Sequence, residues 1–221
     1  MNPVDLRLYA ILDGSVVGER DFGRLAREAA AGGCTLIQYR DKEAPIRALL
    51  ARARAIKAAL AGSRVPLLIN DRVDVALAAG AEGVHLGQDD MHAGDARKLL
   101  GPAAIIGLTL KTPAQADELY RLPLDYACVG GVFATASKVN PDPPVGLDGF
   151  SRIAFRARLA GGKIPVGAIA GIDHANAASV VATGADGVAV ISAVFATDDV
   201  THAARRLRGI VDAALAARGA L

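Results

Sequence analysis

The chain contains no Trp, and aromatic residues make up only 4% of its 221 positions. Stacked rings therefore cannot fill its core, and Ala, Val, Leu and Ile must supply most of the 52% that is apolar. That diet suits helices packed on a buried parallel sheet. An excess of charge is missing too: 25 basic residues face 23 acidic ones, for a formal net charge of +2. So balanced a surface excludes a nucleic-acid groove or a membrane-attracted face as the organising feature, and any phosphate recognition must be local. Cysteine is scarce. Cys34 and Cys128 form no C-x-x-C pair and lie in apolar stretches, which predicts reduced core residues rather than a disulfide. No run approaches 18 uncharged apolar residues, and MNPVDLRLYAILD lacks a basic region followed by a long apolar one. The expectation is a soluble, unprocessed, cytoplasmic chain with neither nucleic acid nor membrane as partner.

What is present is an alternation. Short β-rich runs predict strands at Leu6 to Leu12, Thr35 to Tyr39, Pro66 to Ile69, Gly83 to Leu86, Ala104 to Leu108, Tyr126 to Gly130, Pro165 to Ile169 and Gly187 to Val190. Segments rich in Ala, Leu and Arg separate them. Pro45 to Leu60 carries apolar residues near a 3.6-residue period, and Thr112 with Pro113 predicts a capped helix start running to Leu122. Gly80-Ala81-Glu82-Gly83-Val84 returns as Gly184-Ala185-Asp186-Gly187-Val188, the short joint between a helix end and the next strand. Eight strands alternating with helices, with no linker, predict one domain over residues 1–221: an α/β, single (β/α)8 TIM barrel. The Ala-rich final helix, Val200 to Arg218, is expected either to close that barrel or to meet another subunit in a homo-oligomer.

A parallel barrel gathers the C-terminal ends of its strands on one rim, where such barrels do chemistry. In order, those ends carry Asp13; Gln38, Arg40 and Lys42; Asn70 and Asp71; Gln88, Asp89 and Asp90; Thr109 and Lys111; Thr135, Ser137 and Lys138; Gly171; and Ser192. Asp71 and Asp90 end neighbouring strands and suit one shared Mg2+, which favours one or two carboxylates plus substrate phosphates. The competing reading makes Asp71 a helix cap, and Asp89 and Asp90 caps of the next helix. Arg40 beside Lys42 suits a diphosphate, leaving Gln38 to hydrogen-bond a heterocycle. The loop from Gly130 to Leu147 is too long and Pro-rich for a mere connection and reads as a lid, with Lys138 placed to neutralise a leaving group and Thr135 and Ser137 offering hydroxyls. Gly171 and Ile191-Ser192 occupy the place where barrels hold a monophosphate. No His has metal-ligand spacing, so none receives a catalytic role.

Five stretches resemble the thiamine-phosphate synthase family: YAILD (Tyr9 to Asp13), QYRDK (Gln38 to Lys42), INDRVDVALAAGAEGVHLGQDDM (Ile69 to Met91), GGVFATASK (Gly130 to Lys138) with PVGL (Pro144 to Leu147), and GADGVAVISA (Gly184 to Ala193). The resemblance implies a Mg2+-dependent transferase of thiamine biosynthesis that joins a pyrimidine diphosphate to a thiazole phosphate and releases pyrophosphate. It further implies that Gln38, Tyr39, Arg40, Asp41, Lys42, Asn70, Thr109 and Lys138 bind the pyrimidine diphosphate, with Arg40, Lys42 and Lys138 catalytic. Thr135, Ala136, Ser137, Gly171, Ile191 and Ser192 would hold the thiazole phosphate, and Asp71 and Asp90 the Mg2+. Two departures stand out. The sixth loop reads VFATASK where the family more often has IFPTxTK, and strand seven ends IAGI where IGGI is commoner, so Ala170 narrows backbone freedom before Gly171. Three rivals use less of this set. A thiazole tautomerase needs no diphosphate site, a phosphosugar isomerase needs an acid and base that the rim does not clearly offer, and a phosphate sensor has no use for paired carboxylates.

Overall fold

A computed structural model describes residues 4–135 and 142–220. Eight parallel strands close into a barrel in sequential order: β1 (Leu8–Asp13), β2 (Leu36–Arg40), β3 (Leu67–Asn70), β4 (Gly83–Leu86), β5 (Ile105–Leu110), β6 (Tyr126–Val129), β7 (Val166–Ile169) and β8 (Val188–Val190). The helices between them are α1 (Gly14–Val17), α2 (Phe22–Ala31), α3 (Ile46–Ala59), α4 (Val73–Ala79), α5 (Ala93–Leu100), α6 (Pro113–Asp117), α7 (Gly146–Gly161), α8 (Ala177–Ala182), α9 (Ser192–Phe195) and α10 (Val200–Gly219). The (β/α)8 expectation holds.

Each strand alternates between two cores. Outward residues such as Leu8, Ile37, Tyr39 and Val84 pack under the helices, and inward residues such as Tyr9, Leu36, Leu68, Tyr126 and Cys128 fill the barrel itself. Gly107 points inward for a reason of space. A Cβ there would lie 2.0 Å from the Tyr126 ring, so the glycine is what lets that ring cross the barrel. The final helix α10 closes the ring of helices, burying Val200, Ala204, Leu207 and Val211 and reaching α2 through Thr201 Oγ1 to the Glu28 carbonyl, 3.1 Å. Among the described residues, no helix is long and apolar enough to cross a membrane.

The floor, at the N-terminal ends of the strands, is stitched in pairs. Thr35, just before β2, accepts the Leu8 N–H of β1 at 3.1 Å. Glu82, before β4, accepts the Leu67 N–H of β3 at 2.9 Å; Asp125, before β6, accepts that of Ile106 in β5 at 2.8 Å; Asp186, before β8, accepts that of Val166 in β7 at 2.8 Å. Each acid is also paired with a base. Lys57 meets Glu82, Arg97 meets Asp125 at 2.6 Å, and Arg158 meets Asp186 at 3.0 Å. The repeated Gly-Ala-acid-Gly-Val motif is thus a floor device: Gly80 and Gly184 take left-handed backbone (φ 68° and 112°), and the acid between the glycines does the stitching. The second glycine of each motif faces backbone so closely, Ile105 O at 1.8 Å from a Cβ on Gly83 and Leu6 O at 1.7 Å from one on Gly187, that no side chain fits.

Most element boundaries shift by a residue, and three shift further. β1 starts at Leu8 and runs on to Asp13, and β5 runs on to Leu110, so Thr109 is a strand residue facing the barrel rather than part of the loop beyond. The helix expected from Thr112 to Leu122 begins with the predicted cap, a full capping box of Thr112 and Gln115, but α6 gives way to a 3-10 turn over Glu118–Arg121. Pro123 forces Leu122 into extended backbone, and the last turn tightens before it.

Candidate active site at the barrel mouth

The C-terminal rim divides into a charged arc, β1 to β4, and a weakly charged one, β5 to β8. On β2, Gln38 and Arg40 point inward and Tyr39 outward. Arg40 Nη1 donates to Asp13 Oδ2 on the neighbouring strand, its register partner, and Asp13 is buried to 1% exposure. Asp13 also accepts from the backbone N–H and hydroxyl of Ser15, at 2.9 and 2.6 Å. Asp71, directly after β3, has left-handed backbone (φ 59°), a conformation Asp tolerates better than most residues. Its N–H donates to the His85 carbonyl at 2.9 Å, which locks the turn onto β4. Lys42 Nζ and Asn70 Nδ2 both donate to Asp71 Oδ2, the latter at 2.7 Å.

Asp90 reaches the same point from the β4 loop, anchored by the Gly87 N–H at 2.7 Å. Burial, and next the adjacent Asp71 carboxyl, push Asp90 above its ordinary value, while the Gly87 N–H and Lys42 pull the other way. A buried carboxyl whose ionisation is made costlier by a neighbouring carboxyl is short of positive charge. A divalent cation fits that deficit. Among the described residues no group of three or more His, Cys, Asp and Glu side chains could hold a metal, so a cation there would take two carboxylates from the protein and fill its remaining positions with phosphate oxygens and water. The capping alternative fails on geometry: Arg72 is the N-cap of α4 and makes no side-chain cap bond, and His92 caps α5 through Nδ1 to the Gly94 N–H, 3.1 Å.

On the other arc, a cavity of about 400 Å³ opens between β5 and β8, lined by Thr109, Lys111, Thr135, Ala170, Gly171, Ile191 and Ser192 among others. Backbone rather than side-chain charge shapes it. Ala170 and Gly171 both have positive φ, 86° and 65°, and a Cβ on Gly171 would meet the Ala134 carbonyl at 2.4 Å. The sixth loop crosses at this point: Val132 and Phe133 N–H groups donate to Ile169 and Ala170 carbonyls, each at 3.1 Å. The loop's base is closed by Val145 N–H to Gly131 O, 2.8 Å, and Gly146 N–H to Val132 O, 3.0 Å. Lys111 Nζ, from the β5–α6 connection, pairs with Asp142 on the loop's returning limb at 2.7 Å.

Beneath both arcs lies a buried polar chain. Gln38 Nε2 donates to Tyr9 OH, which is 3.0 Å from Tyr126 OH. Tyr126 OH is 2.7 Å from His85 Nδ1, and His85 Nε2 is 2.7 Å from Thr109 Oγ1.

The structure therefore brings Gln38, Arg40, Lys42, Asn70, Asp71 and Asp90 to one arc, and Thr135, Gly171, Ile191 and Ser192 to the other, with Thr109 between them. Two residues of the expected set turn their side chains to other partners. Tyr39 lies on the outer face of β2, edge-on to Phe22 at 5.4 Å, and Asp41 is turned toward Arg52, 2.7 Å, and the Glu43 and Ala44 N–H groups. Strand alternation takes the Tyr39 side chain away from the mouth. Ala136, Ser137 and Lys138 lie outside the described residues. Sequence reasoning gave Asp13 and Lys111 rim positions without roles, and gave none to Tyr9 or Tyr126. An isolated Tyr in an apolar strand reads as core, and only the closed topology shows that these two meet.

The family model described as thiamine monophosphate synthase matches residues 8–194. A thiamine-phosphate synthase from Agrobacterium fabrum is 53% identical over 218 residues, covering 99% of this chain and 99% of that protein. One from Chloroflexus aurantiacus is 44% identical over 208 residues, covering 94% of each. The solved structure of a thiamine phosphate pyrophosphorylase from Pyrococcus furiosus superposes with a TM-score of 0.82 at 38% identity, covering 96% of this chain and 98% of that one.

Proposed function

Because the chain belongs to the thiamine monophosphate synthase family and is accordingly a transferase of thiamine biosynthesis, we propose that it joins an aminopyrimidine bearing a diphosphooxymethyl arm to a thiazole phosphate, in its carboxylated or hydroxyethyl form, in the cytoplasm. One observation carries this reading: Asp71, Asp90 and Lys42 converge from three loops on a single point, on the same rim of the barrel as the β5–β8 cavity. A polyphosphate with its cation is what such a point accommodates.

The proposed reaction is a dissociative substitution. The C–O bond to the diphosphate breaks, its electron pair leaves with the pyrophosphate, and the remaining methylene cation is captured by the lone pair of the thiazole nitrogen. No proton needs to move. Mg2+, when held by Asp71 and Asp90, would offset the charge of the diphosphate. Lys42 and Arg40, which in the structure face Asp71 and Asp13, stand within reach of the same oxygens, and Lys138 adds a third cation from the sixth loop. Gln38, Asn70 and Thr109 would orient the pyrimidine, and Thr135, Ala136, Ser137, Gly171, Ile191 and Ser192 the thiazole phosphate. Holding both rings in line is worth more than any single contact, since each turnover would otherwise need an encounter in water that destroys the cation.

The test is to mix both phosphates with the protein, with and without Mg2+, and follow pyrophosphate. Mg2+-dependent release that requires the thiazole partner supports the reading, and no release under any condition rejects it. Lys138→Ala is expected to lower kcat more than it raises KM, because a leaving-group contact is made fully only as the bond breaks.

A further inference from the structure

The buried chain Gln38, Tyr9, Tyr126, His85, Thr109 has a direction. An amide Nε2 can only donate, so Tyr9 OH accepts from Gln38. Tyr9 has Gln38 and Tyr126 as its two partners, so its own proton has Tyr126 OH as its acceptor. The opposite order would leave a buried hydroxyl proton with nothing to bind. Tyr126 in turn gives its proton to His85 Nδ1, which leaves His85 neutral with the hydrogen on Nε2, and that hydrogen goes to Thr109 Oγ1. Burial holds both phenols well above the ordinary tyrosine value, so each keeps the proton that this order needs.

The consequence falls on the two ends. With Nε2 tied to Tyr9, the Gln38 amide turns its Oε1 branch away from Tyr9; with Thr109 Oγ1 accepting from His85, the Thr109 hydroxyl proton is left for a group in the cavity it lines. The mouth is thereby given an acceptor on the β2 side and a donor on the β5 side. We propose that Tyr9, Tyr126 and His85 are positioning residues that fix this polarity, and that the fixed polarity makes the site select an aminopyrimidine, a donor beside ring-nitrogen acceptors, over its deaminated oxo analogue. This rests on the pyrimidine reading of Gln38 and Thr109 given above. The three positioning residues touch no substrate. Their effect is to stop the Gln38 amide from turning over, which would exchange donor for acceptor while leaving its shape unchanged.

Tyr126→Phe cuts the chain in the middle and keeps the ring that Gly107 accommodates. The measurement is kcat/KM for the aminopyrimidine diphosphate and for its oxo analogue, in wild type and in Tyr126→Phe, with the thiazole phosphate KM alongside. The expected result is at least a tenfold fall in the amino-to-oxo ratio, with the thiazole phosphate KM within twofold of wild type. Equal losses on both pyrimidines, which general damage would produce, overturn the proposal. A second measurement needs no turnover: 15N NMR of the wild-type protein, with His85 assigned by His85→Gln. Nε2 protonated and Nδ1 bare supports the chain's direction, and the reverse tautomer or an imidazolium overturns it. A protein that releases no pyrophosphate but shows the Nε2 tautomer would sink the assigned reaction and leave the buried chain standing, so the two failures are told apart.

Discussion

The two ends of the barrel use the same acidic residues in opposite ways. At the floor, Glu82, Asp125 and Asp186 each accept a backbone N–H from the preceding strand and face a Lys or Arg, so every carboxylate has its charge met twice. At the mouth, Asp71 and Asp90 lie against each other with one lysine near both, and Asp90 is driven above its ordinary value by burial and by that neighbour. The floor arrangement is complete within the chain, and at the mouth the proposed Mg2+ would supply the matching positive charge. On the proposed reading, a carboxylate in this fold stabilises where its partners belong to the chain and serves chemistry where they do not.

The sharpest way to break the comparison is Asp90→Asn. It should lower pyrophosphate release about a thousandfold while leaving the melting temperature in chelator no lower than wild type, because the crowded charge disappears. A matching fall in stability would mean that the mouth pair is structural after all. The complementary change at the floor, Asp186→Ala, strips the Val166 N–H of its side-chain acceptor and Arg158 and Arg218 of their carboxylate partner, leaving both guanidiniums only backbone carbonyls. It should cost about 2 kcal/mol in urea denaturation with kcat unchanged; a change in kcat at constant stability would undo the division of labour. Ala170→Gly tests the backbone-built arc, where a methyl sits at φ 86°. Relief of that conformation should raise stability by about 1 kcal/mol, seen as a higher urea midpoint.

The smallest effect concerns the region between the two ends. Burial pushes the Cys34 and Cys128 thiols, and the Tyr39 phenol, up to about 12. Groups whose folded values lie above their unfolded ones add stability that is complete below the unfolded thiol value of 9.0 and is lost as pH rises through about 12. From about pH 8 to about pH 9 the loss should stay under about 1 kcal/mol, and a urea midpoint rising over that range would contradict the burial of these groups.

Much of this was legible in the sequence because it is periodic or local. Glycine at both ends of Gly80-Ala81-Glu82-Gly83 announces a helix stop and a strand that tolerates no side chain, and the alternation of Gln38, Tyr39 and Arg40 decides which of them face inward. Tyr39 and Asp41 belong to the expected set through a family motif taken as a block, while alternation sends the Tyr39 side chain outward. The acid-to-backbone stitches escaped because a carboxylate before a strand has no local partner; its acceptor role appears only when strand pairing sets Asp186 beside Val166. The Arg40 and Asp13 pair is of the same kind, formed by register rather than by sequence distance. Ala170 alone announced strain from sequence, and the structure locates it at φ 86°.

The rings of Tyr9 and Tyr126, crossing inside the barrel edge to face at 5.8 Å, also bear on traffic. With the lumen plugged at that level, both reactants must arrive and both products depart by a shared doorway. Whichever reactant settles deeper has to come first, and the product nearer the entrance has to go before the other can follow. Steady-state inhibition by each product against each reactant would reveal that queue as an ordered pattern rather than a random one.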